Sequence, residues 1–182
     1  IASELNRLSQ LGLVIDAGHE IACHGWRHER PRRLSPLEIA AMLEGAAACF
    51  AELGVKPTGF RSPRSDWSTA LLRCLPAHGY RWNAERDRAV RPYRITPDLV
   101  RLPVGTDDWD ATEGEHPAAR LIDKWRGHVE RAVASRDVVC IGLHEWIVGR
   151  REDYAAALDA FLGETRRISG LRFATLGEIA AQ

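Results

Sequence analysis

His24 and His28 lie four residues apart in the stretch GHEIACHGWRH, directly after a short apolar run that is typical of a strand. Neutral imidazole is the commonest side-chain metal ligand, and on a helical turn two side chains four residues apart point to the same side. A catalytic divalent site usually has two or three such ligands and an open position for water. The pair therefore predicts a metal site. Two unrelated histidines, one capping and one exposed, are the alternative for so short a motif.

A third histidine, His144, ends the apolar run VVCIGL. An imidazole at the end of a partly buried strand suits general acid catalysis near neutral pH, above all where a carboxylate orients the ring. A structural histidine with satisfied hydrogen bonds explains the position equally well. The sequence therefore marks His144 as a candidate acid and leaves the structural alternative open.

The run GTDDWD places three carboxylates, Asp107, Asp108 and Asp110, around Trp109. Carboxylates this close repel one another, so either one takes up a proton or the group attracts cations. Arg61, which ends the segment GFR, is the candidate partner through a two-pronged ion pair. A solvated acidic turn is the alternative interpretation of the same run.

Tryptophan is concentrated near these candidate residues. Four of the six tryptophans lie within a few residues of a predicted strand end: Trp26, Trp67, Trp109 and Trp146. Aromatic faces can pack against the C–H face of a sugar ring, and they can equally belong to the core. Trp125 lies in the middle of a predicted helix and is expected in the core.

Strand-like and helix-like segments alternate along the chain, which predicts an α/β fold with a mostly parallel sheet and helices outside it. Helices are predicted at 2–12, 35–54, 68–79, 117–135 and 153–168, with a short one near the C-terminus. Strands are predicted at 18–24, 55–63, 80–85, 99–105 and 137–144, and another opens the segment 171–181. The largely apolar run 137–144 is typical of a strand buried on both faces, and a Pro-rich loop is expected at 86–98.

Two of the helices carry explicit start signals. Ser35 is a candidate N-cap, with Pro36 in the first turn and Glu38 completing a capping box. Ser68 is the candidate cap of the next helix, which Pro76 is expected to shorten or kink.

Ligand sites in folds of this kind lie beyond the carboxyl ends of the strands. The residues that follow the predicted strands are 24–28, 61–63, 83–85, 105–110 and 144–146. By this rule the histidines, the candidate arginine and the acidic run are all candidates for one ligand site, which the structure can test.

Composition excludes several classes of function. The 182 residues are 45% hydrophobic, which suits a single domain over 1–182. Lys plus Arg and Asp plus Glu are 25 each, so no basic field points to nucleic acid. The four cysteines are widely spaced without a C-x-x-C motif, which gives no support to a disulfide or a thiolate site. No run is long and apolar enough to span a membrane, and no signal peptide is predicted. The compartment stays open, with the cytoplasm slightly favoured.

Taken in order, these motifs resemble those of the polysaccharide deacetylase family, also called carbohydrate esterase family four. GHEIACHGWRH is similar to the family's second motif, with Gly25 in place of the usual Ser or Thr. FRSP resembles the third motif, DDW the fourth and GLH the fifth, although Gly105 stands where the fourth motif often has a first Asp. The four motifs together cover most of the chain.

The resemblance implies a distorted (β/α) barrel and a divalent metal ion, most often zinc, with His24 and His28 as its histidine ligands. It implies hydrolysis of an N-acetyl group, or another amide or ester, on a carbohydrate or amino sugar by a metal-activated water. In this scheme His144 protonates the leaving amine, and Arg61 pairs with Asp108 to orient the general base. Substrate contacts are expected from four residues near the strand ends: Trp26, Pro63, Trp109 and Trp146.

The family's first motif, an Asp–Asp pair, supplies the general base and the third metal ligand and precedes the two histidines. Before His24 the sequence has a single aspartate, Asp16, in the turn that leads into a predicted strand. We therefore expect the barrel to be incomplete at its N-terminus, either because Ile1 is not the true start, which is favoured, or because the protein is degenerate. Asp107 or Asp110 as the third ligand is a further alternative.

The leading prediction is a metal-dependent carbohydrate N-deacetylase. Three other functions stay open: a small-molecule C–N amide hydrolase of the same fold, a non-catalytic carbohydrate-binding protein, and an interaction subunit whose open sheet edge is covered by a partner. The sequence does not determine the oligomeric state.

Overall fold

The computed structural model describes residues 11–109, 118–149 and 151–182. The chain divides into two compact units. Unit 1 comprises Ile1–Glu85, Pro92–Leu102 and Ala174–Gln182, and unit 2 comprises Arg86–Arg91 and Pro103–Phe173. The single domain over 1–182 stays a prediction. Over the described ranges, no helix has the length and apolar character needed to cross a membrane.

The described part of unit 1 contains the α-helices α1 (Leu11–Asp16), α2 (Pro36–Glu52), α3 (Thr69–Ala77) and α7 (Leu176–Ala180). The predicted starts of α2 and α3 are confirmed. Ser35 and Glu38 form the reciprocal capping box, and Ser68 accepts the Leu71 N–H.

The predicted end of the first helix at Gly12 is wrong, and residues 2–10 of that prediction lie outside the described part of the chain. Helix α1 continues through Gly12 to Asp16. The glycine that ends it is Gly18, which has a φ of +77° and donates its N–H to the Ile15 carbonyl. Left-handed backbone of this kind is the usual way in which a glycine ends a helix.

The sheet of unit 1 contains β1 (Gly59–Phe60), β2 (Trp82–Glu85), β3 (Tyr93–Thr96) and β4 (Leu99–Pro103), in the order β1-β2-β4-β3. β1 runs parallel to β2, and Cys23 forms a parallel bridge with Phe60 on the other side of β1. β3 pairs antiparallel with β4, so the loop predicted at 86–98 is wrong over β3. The aromatic and β-branched residues of β3 favour a strand, and the two residues that follow it form a tight turn.

The core of unit 1 lies between α2, α3 and this sheet. It contains Ile39, Leu43, Leu71, Leu75 and Phe60, all fully buried. Trp82 packs directly over Gly59, so that a Cβ at Gly59 would lie 1.9 Å from the Trp82 ring. The close approach of β1 and β2 therefore depends on a glycine at this position.

Replacing Gly59 by Ala is expected to destabilise the protein by about 3 kcal/mol, because the added methyl displaces a buried indole. Denaturant unfolding measures the change. Gly12→Ala is the matched control in unit 1, since an added Cβ there meets nothing within 4 Å. A Gly59→Ala protein as stable as the control variant would contradict the packing.

Unit 2 contains α4 (Ala118–Ser135), α5 (Glu145–Val148), α6 (Glu152–Thr165) and two short parallel strands, β5 (Thr106–Asp107) and β6 (Ile141–Gly142). Its core lies between α4 and α6, where Trp125 packs against Phe161 with ring centroids 5.7 Å apart. The predicted helices 117–135 and 153–168 are confirmed to within a few residues.

The predicted strand 137–144 is wrong in length and burial. Only Ile141–Gly142 is a strand, and 138–141 are half-buried. The Asp137 carboxylate accepts the Val138 N–H and pairs with Arg91, so the run begins as a loop. The strand predicted to open the segment 171–181 is also absent from the described residues, although helix α7 follows there as predicted.

Candidate active site

Unit 1 contains one group of candidate residues, in the loop that carries His24. Cys23 is held in register with β1, because its N–H donates to the Gly59 carbonyl at 2.8 Å and its carbonyl accepts the Arg61 N–H at 2.9 Å. The His24 ring follows, and its Nδ1 lies 2.8 Å from the Arg61 carbonyl oxygen. A carbonyl only accepts, so Nδ1 carries the hydrogen. A neutral His24 ring then has its lone pair on Nε2, the form in which histidines bind metals with a fixed orientation.

The loop between the two histidines is held by Glu29. Its carboxylate accepts the N–H of Trp26 at 3.0 Å and that of Arg27 at 2.9 Å. Gly25 has a φ of +80°, and a Cβ there would lie 2.9 Å from the Glu29 carboxylate. This left-handed turn is the physical reason for a glycine here rather than a serine or threonine.

The two histidine rings lie side by side, with centroids 5.3 Å apart in an edge-to-face arrangement. His24 is half-buried and His28 is exposed. The pair fits the histidine half of a zinc ligand set. No group of three or more His, Cys, Asp or Glu side chains that could hold a metal ion exists among the described residues, so the third ligand is not identified in them.

Two residues predicted to contact substrate, Trp26 and Pro63, are packed within unit 1. The Trp26 ring lies against Gly45 of α2, and the Arg27 guanidinium stacks on it at 4.0 Å. Pro63 is buried against Gly25. Their substrate contacts stay predictions, and packing against the protein already accounts for much of both surfaces.

Unit 2 contains a separate group of candidate residues, a carboxylate–histidine pair. Asp108 is completely buried, and one of its oxygens lies 2.6 Å from His144 Nδ1. The other oxygen accepts the His144 backbone N–H at 2.6 Å. The carboxylate therefore sets both the position and the ring orientation of His144, and it favours a hydrogen on Nδ1.

The pairing of Asp108 with His144 is absent from the sequence prediction, which assigned Asp108 to Arg61. The sequence does place both Asp108 and His144 just after strand-like segments. In the structure β5 and β6 are parallel, with Thr106 opposite Ile141, so the residues that follow the two strands meet at one edge. Arg61 belongs to unit 1 and Asp108 to unit 2, so their pairing stays a prediction.

Two of the tryptophans that are predicted to contact substrate lie next to His144. Trp109 lies 5.6 Å and Trp146 5.8 Å from the His144 ring, and the two indoles are 6.1 Å apart, all measured between ring centroids. Trp109 is 44% exposed and Trp146 is 38% exposed. The structure therefore places two accessible aromatic faces next to the candidate acid.

The acidic run is not a solvated turn over its described part. Asp107 and Asp108 are 4% and 0% exposed, and Asp110 lies outside the described residues. Arg86 Nε donates to the Asp107 carboxylate at 2.9 Å, and the Trp109 N–H donates to its other oxygen at 3.1 Å. Both oxygens of Asp107 therefore accept hydrogen bonds that stabilise the turn, which argues against Asp107 as a metal ligand.

The sequence profile described as polysaccharide deacetylase matches residues 5–82, the segment that includes both histidines and Arg61. This segment of the chain is similar to polysaccharide deacetylases. A peptidoglycan deacetylase of Helicobacter pylori (strain ATCC 700392 / 26695) is 31% identical over 101 residues, which are 55% of this chain and 32% of that protein. The chain thus spans about a third of the length of this curated relative.

Two solved structures have the same fold as this chain. A putative polysaccharide deacetylase from Mycobacterium smegmatis superposes with a TM-score of 0.90 at 24% identity, over 99% of this chain and 68% of the other. The Puue allantoinase superposes with a TM-score of 0.83 at 19% identity, over 100% of this chain and 64% of the other. These matches confirm the predicted α/β fold of the polysaccharide deacetylase type, whereas the described strands of this chain form one four-stranded and one two-stranded sheet and no closed barrel.

Glu85, at the carboxyl end of β2, has no counterpart among the motif residues of the deacetylase prediction. It is completely buried, and burial raises the pKa of its carboxyl above the ordinary value of 4.5. Hydrogen bonds from Ser62 and Asn83 and the charge of Arg101 act in the opposite direction on this pKa.

The raised pKa of Glu85 predicts a specific pH dependence of stability. The folded protein keeps this proton to higher pH than the unfolded chain, so the stabilisation is complete below the unfolded value of 4.5 and is lost as the pH rises through the folded pKa. Glu85→Gln cannot titrate, so over a range that starts at about pH 4 its stability relative to the parent protein is expected to increase with pH until the folded pKa is passed. Urea unfolding over this range measures the difference, and a constant difference would contradict the assignment.

Proposed function

We propose that the protein is a metal-dependent hydrolase that removes an N-acyl group, above all an acetyl group, from an amino sugar or glycan. The observation that carries this proposal is the buried Asp108 carboxylate bound to His144 by both oxygens, in a chain whose residues 5–82 match the polysaccharide deacetylase profile. The name of the Helicobacter pylori relative makes N-acetylated glycans the first substrate class to examine.

His144 has the geometry of a general acid. Asp108 holds its Nδ1–H, so the proton available to a leaving amine is the one on Nε2. The buried carboxylate also stabilises the positive charge that the ring carries before it gives up that proton. The faces of Trp109 and Trp146 can pack against an acyl group or a sugar ring next to this nitrogen.

His24 and His28 would hold a divalent metal ion, zinc above all. The ion would polarise the acyl carbonyl and lower the pKa of an attacking water. The chain's own contribution to this step is orientation: the Arg61 carbonyl keeps the hydrogen of His24 on Nδ1 and leaves Nε2 for the ion.

The proposal is tested by measuring acetate release from N-acetylated peptidoglycan fragments and chitooligosaccharides, before and after chelation and after zinc is restored. Release that requires zinc is the expected result. A cyclic amide such as allantoin belongs in the same screen, because the Puue allantoinase has the same fold. Hydrolysis of the cyclic amide but not of the glycans would show that the substrate is a cyclic amide and not an amino sugar. Glycan binding without any hydrolysis would overturn the enzyme assignment.

A further inference from the structure

Three consecutive residues next to His24, Phe60 to Ser62, each form a hydrogen bond with Cys23 or with a side chain of β2. The Phe60 carbonyl accepts from Asn83 Nδ2 at 3.1 Å. The Arg61 N–H donates to the Cys23 carbonyl, and the Ser62 N–H donates to Glu85 Oε1 at 2.8 Å. The carbonyl that receives His24 Nδ1 belongs to the peptide group between Arg61 and Ser62. Glu85 therefore holds the same peptide group that orients His24.

A buried Glu85 lowers the stability of the folded protein, so a purely structural role does not explain it. Its side chain is 0% exposed, and Oε1 receives both the Ser62 N–H and Asn83 Nδ2, the latter at 2.9 Å. Burying a carboxyl away from water is destabilising, whereas an apolar strand residue at the end of β2 would not be.

We propose that Glu85 is a positioning residue for His24. It locks the Arg61–Ser62 peptide with its carbonyl towards His24 Nδ1, and this holds His24 in the Nδ1–H tautomer with its lone pair on Nε2. The expected change in metal affinity rests on the proposed function, because it requires that His24 binds a metal ion. The expected change in the His24 tautomer does not depend on that function. Residues that orient a metal-binding histidine in this way typically change metal affinity by about 10–100-fold when they are replaced.

The tautomer is measured first, on metal-free protein, from the long-range ¹H–¹⁵N couplings of the His24 ring. The parent protein is expected to show the Nδ1–H form. Glu85→Leu removes the acceptor without leaving a large cavity, and it is expected to give a mixture of both tautomers. Ser62→Pro removes the donor instead, at a residue whose φ of −71° already suits proline, and it is expected to do the same. Glu85→Gln keeps an acceptor oxygen and is expected to retain the parent tautomer.

Zinc affinity is measured next, by competition with a chromophoric chelator. Glu85→Leu and Ser62→Pro are expected to bind zinc about 10–100-fold more weakly than the parent protein, and Glu85→Gln within a few-fold of it. Leu75→Ala, a cavity in the same unit's core, is the control for lost stability and is expected to leave both tautomer and affinity unchanged.

The outcomes separate this inference from the proposed function. An Nε2–H tautomer in the parent, an unchanged tautomer in both Glu85→Leu and Ser62→Pro, or equal effects in Leu75→Ala would overturn the positioning role. Absence of zinc binding in the parent, together with the expected tautomers, would overturn the metal-dependent function and leave Glu85 as the residue that orients His24.

Discussion

Replacing Asp108 by Asn is expected to lower kcat for N-acyl hydrolysis by ~10²–10⁴-fold, the contribution of a well-placed general acid. The asparagine amide cannot stabilise a positively charged His144. Its NH₂ group is a donor, so it would face one of the two N–H groups of His144 that the carboxylate accepts from, or donate to Nδ1 and favour the other tautomer. Because the interaction matters most while the proton is transferred, KM is expected to change little. Steady-state kinetics on the substrate found in the acetate screen measures both constants.

The same experiment includes His144→Ala and the double variant. The two residues act as one unit, so the double variant is expected to lose no more activity than either single variant. Asp123→Asn is the matched control, an exposed aspartate on α4 that pairs with Arg126. Asp108→Asn activity within about threefold of the control would rule out His144 as the acid that Asp108 orients.

Replacing His24 by Ala is expected to abolish stoichiometric zinc binding and to lower activity by on the order of 10³-fold or more, because the ion supplies several kcal/mol of transition-state stabilisation. His28→Ala is expected to behave in the same way. Bound metal per chain, measured by plasma mass spectrometry after zinc loading and desalting, decides the first part, and acetate release decides the second.

His78→Ala is the matched control for this prediction. His78 also belongs to unit 1, and its Nδ1 also bonds to a backbone carbonyl, that of Cys74 at 2.9 Å. It lies at the end of α3 and has no assigned role, so its variant is expected to retain zinc. A His24→Ala protein that binds as much zinc as His78→Ala would show that the metal, if any, is held elsewhere.

Sequence reasoning was most successful where the determinants are local. The capping box of Ser35 and Glu38 involves residues three apart, and the apolar stripe of α4 repeats at helical spacing, so both helices are visible without tertiary information. Strands are less predictable. The local pattern at 86–98 predicts a loop, but β3 forms within it, and the pattern at 137–144 predicts a buried strand, of which only Ile141–Gly142 forms. Strand formation depends on partners that are distant in sequence, so a local pattern cannot define its ends.

The sequence by itself determined which residues are candidates for chemistry, because His24, His28, Arg61, Asp108 and His144 stand out by residue type, spacing and order. The tertiary structure decided which of these candidates lie together within each unit. The register of two short strands pairs Asp108 with His144, and the bridge of Cys23 to Phe60 brings the Arg61 carbonyl to His24. It also decided that Glu85 is buried at the same strand end, where its carboxyl meets Ser62. Hydrogen bonds between side chains and distant backbone depend on sub-ångström placement, which no residue spacing specifies.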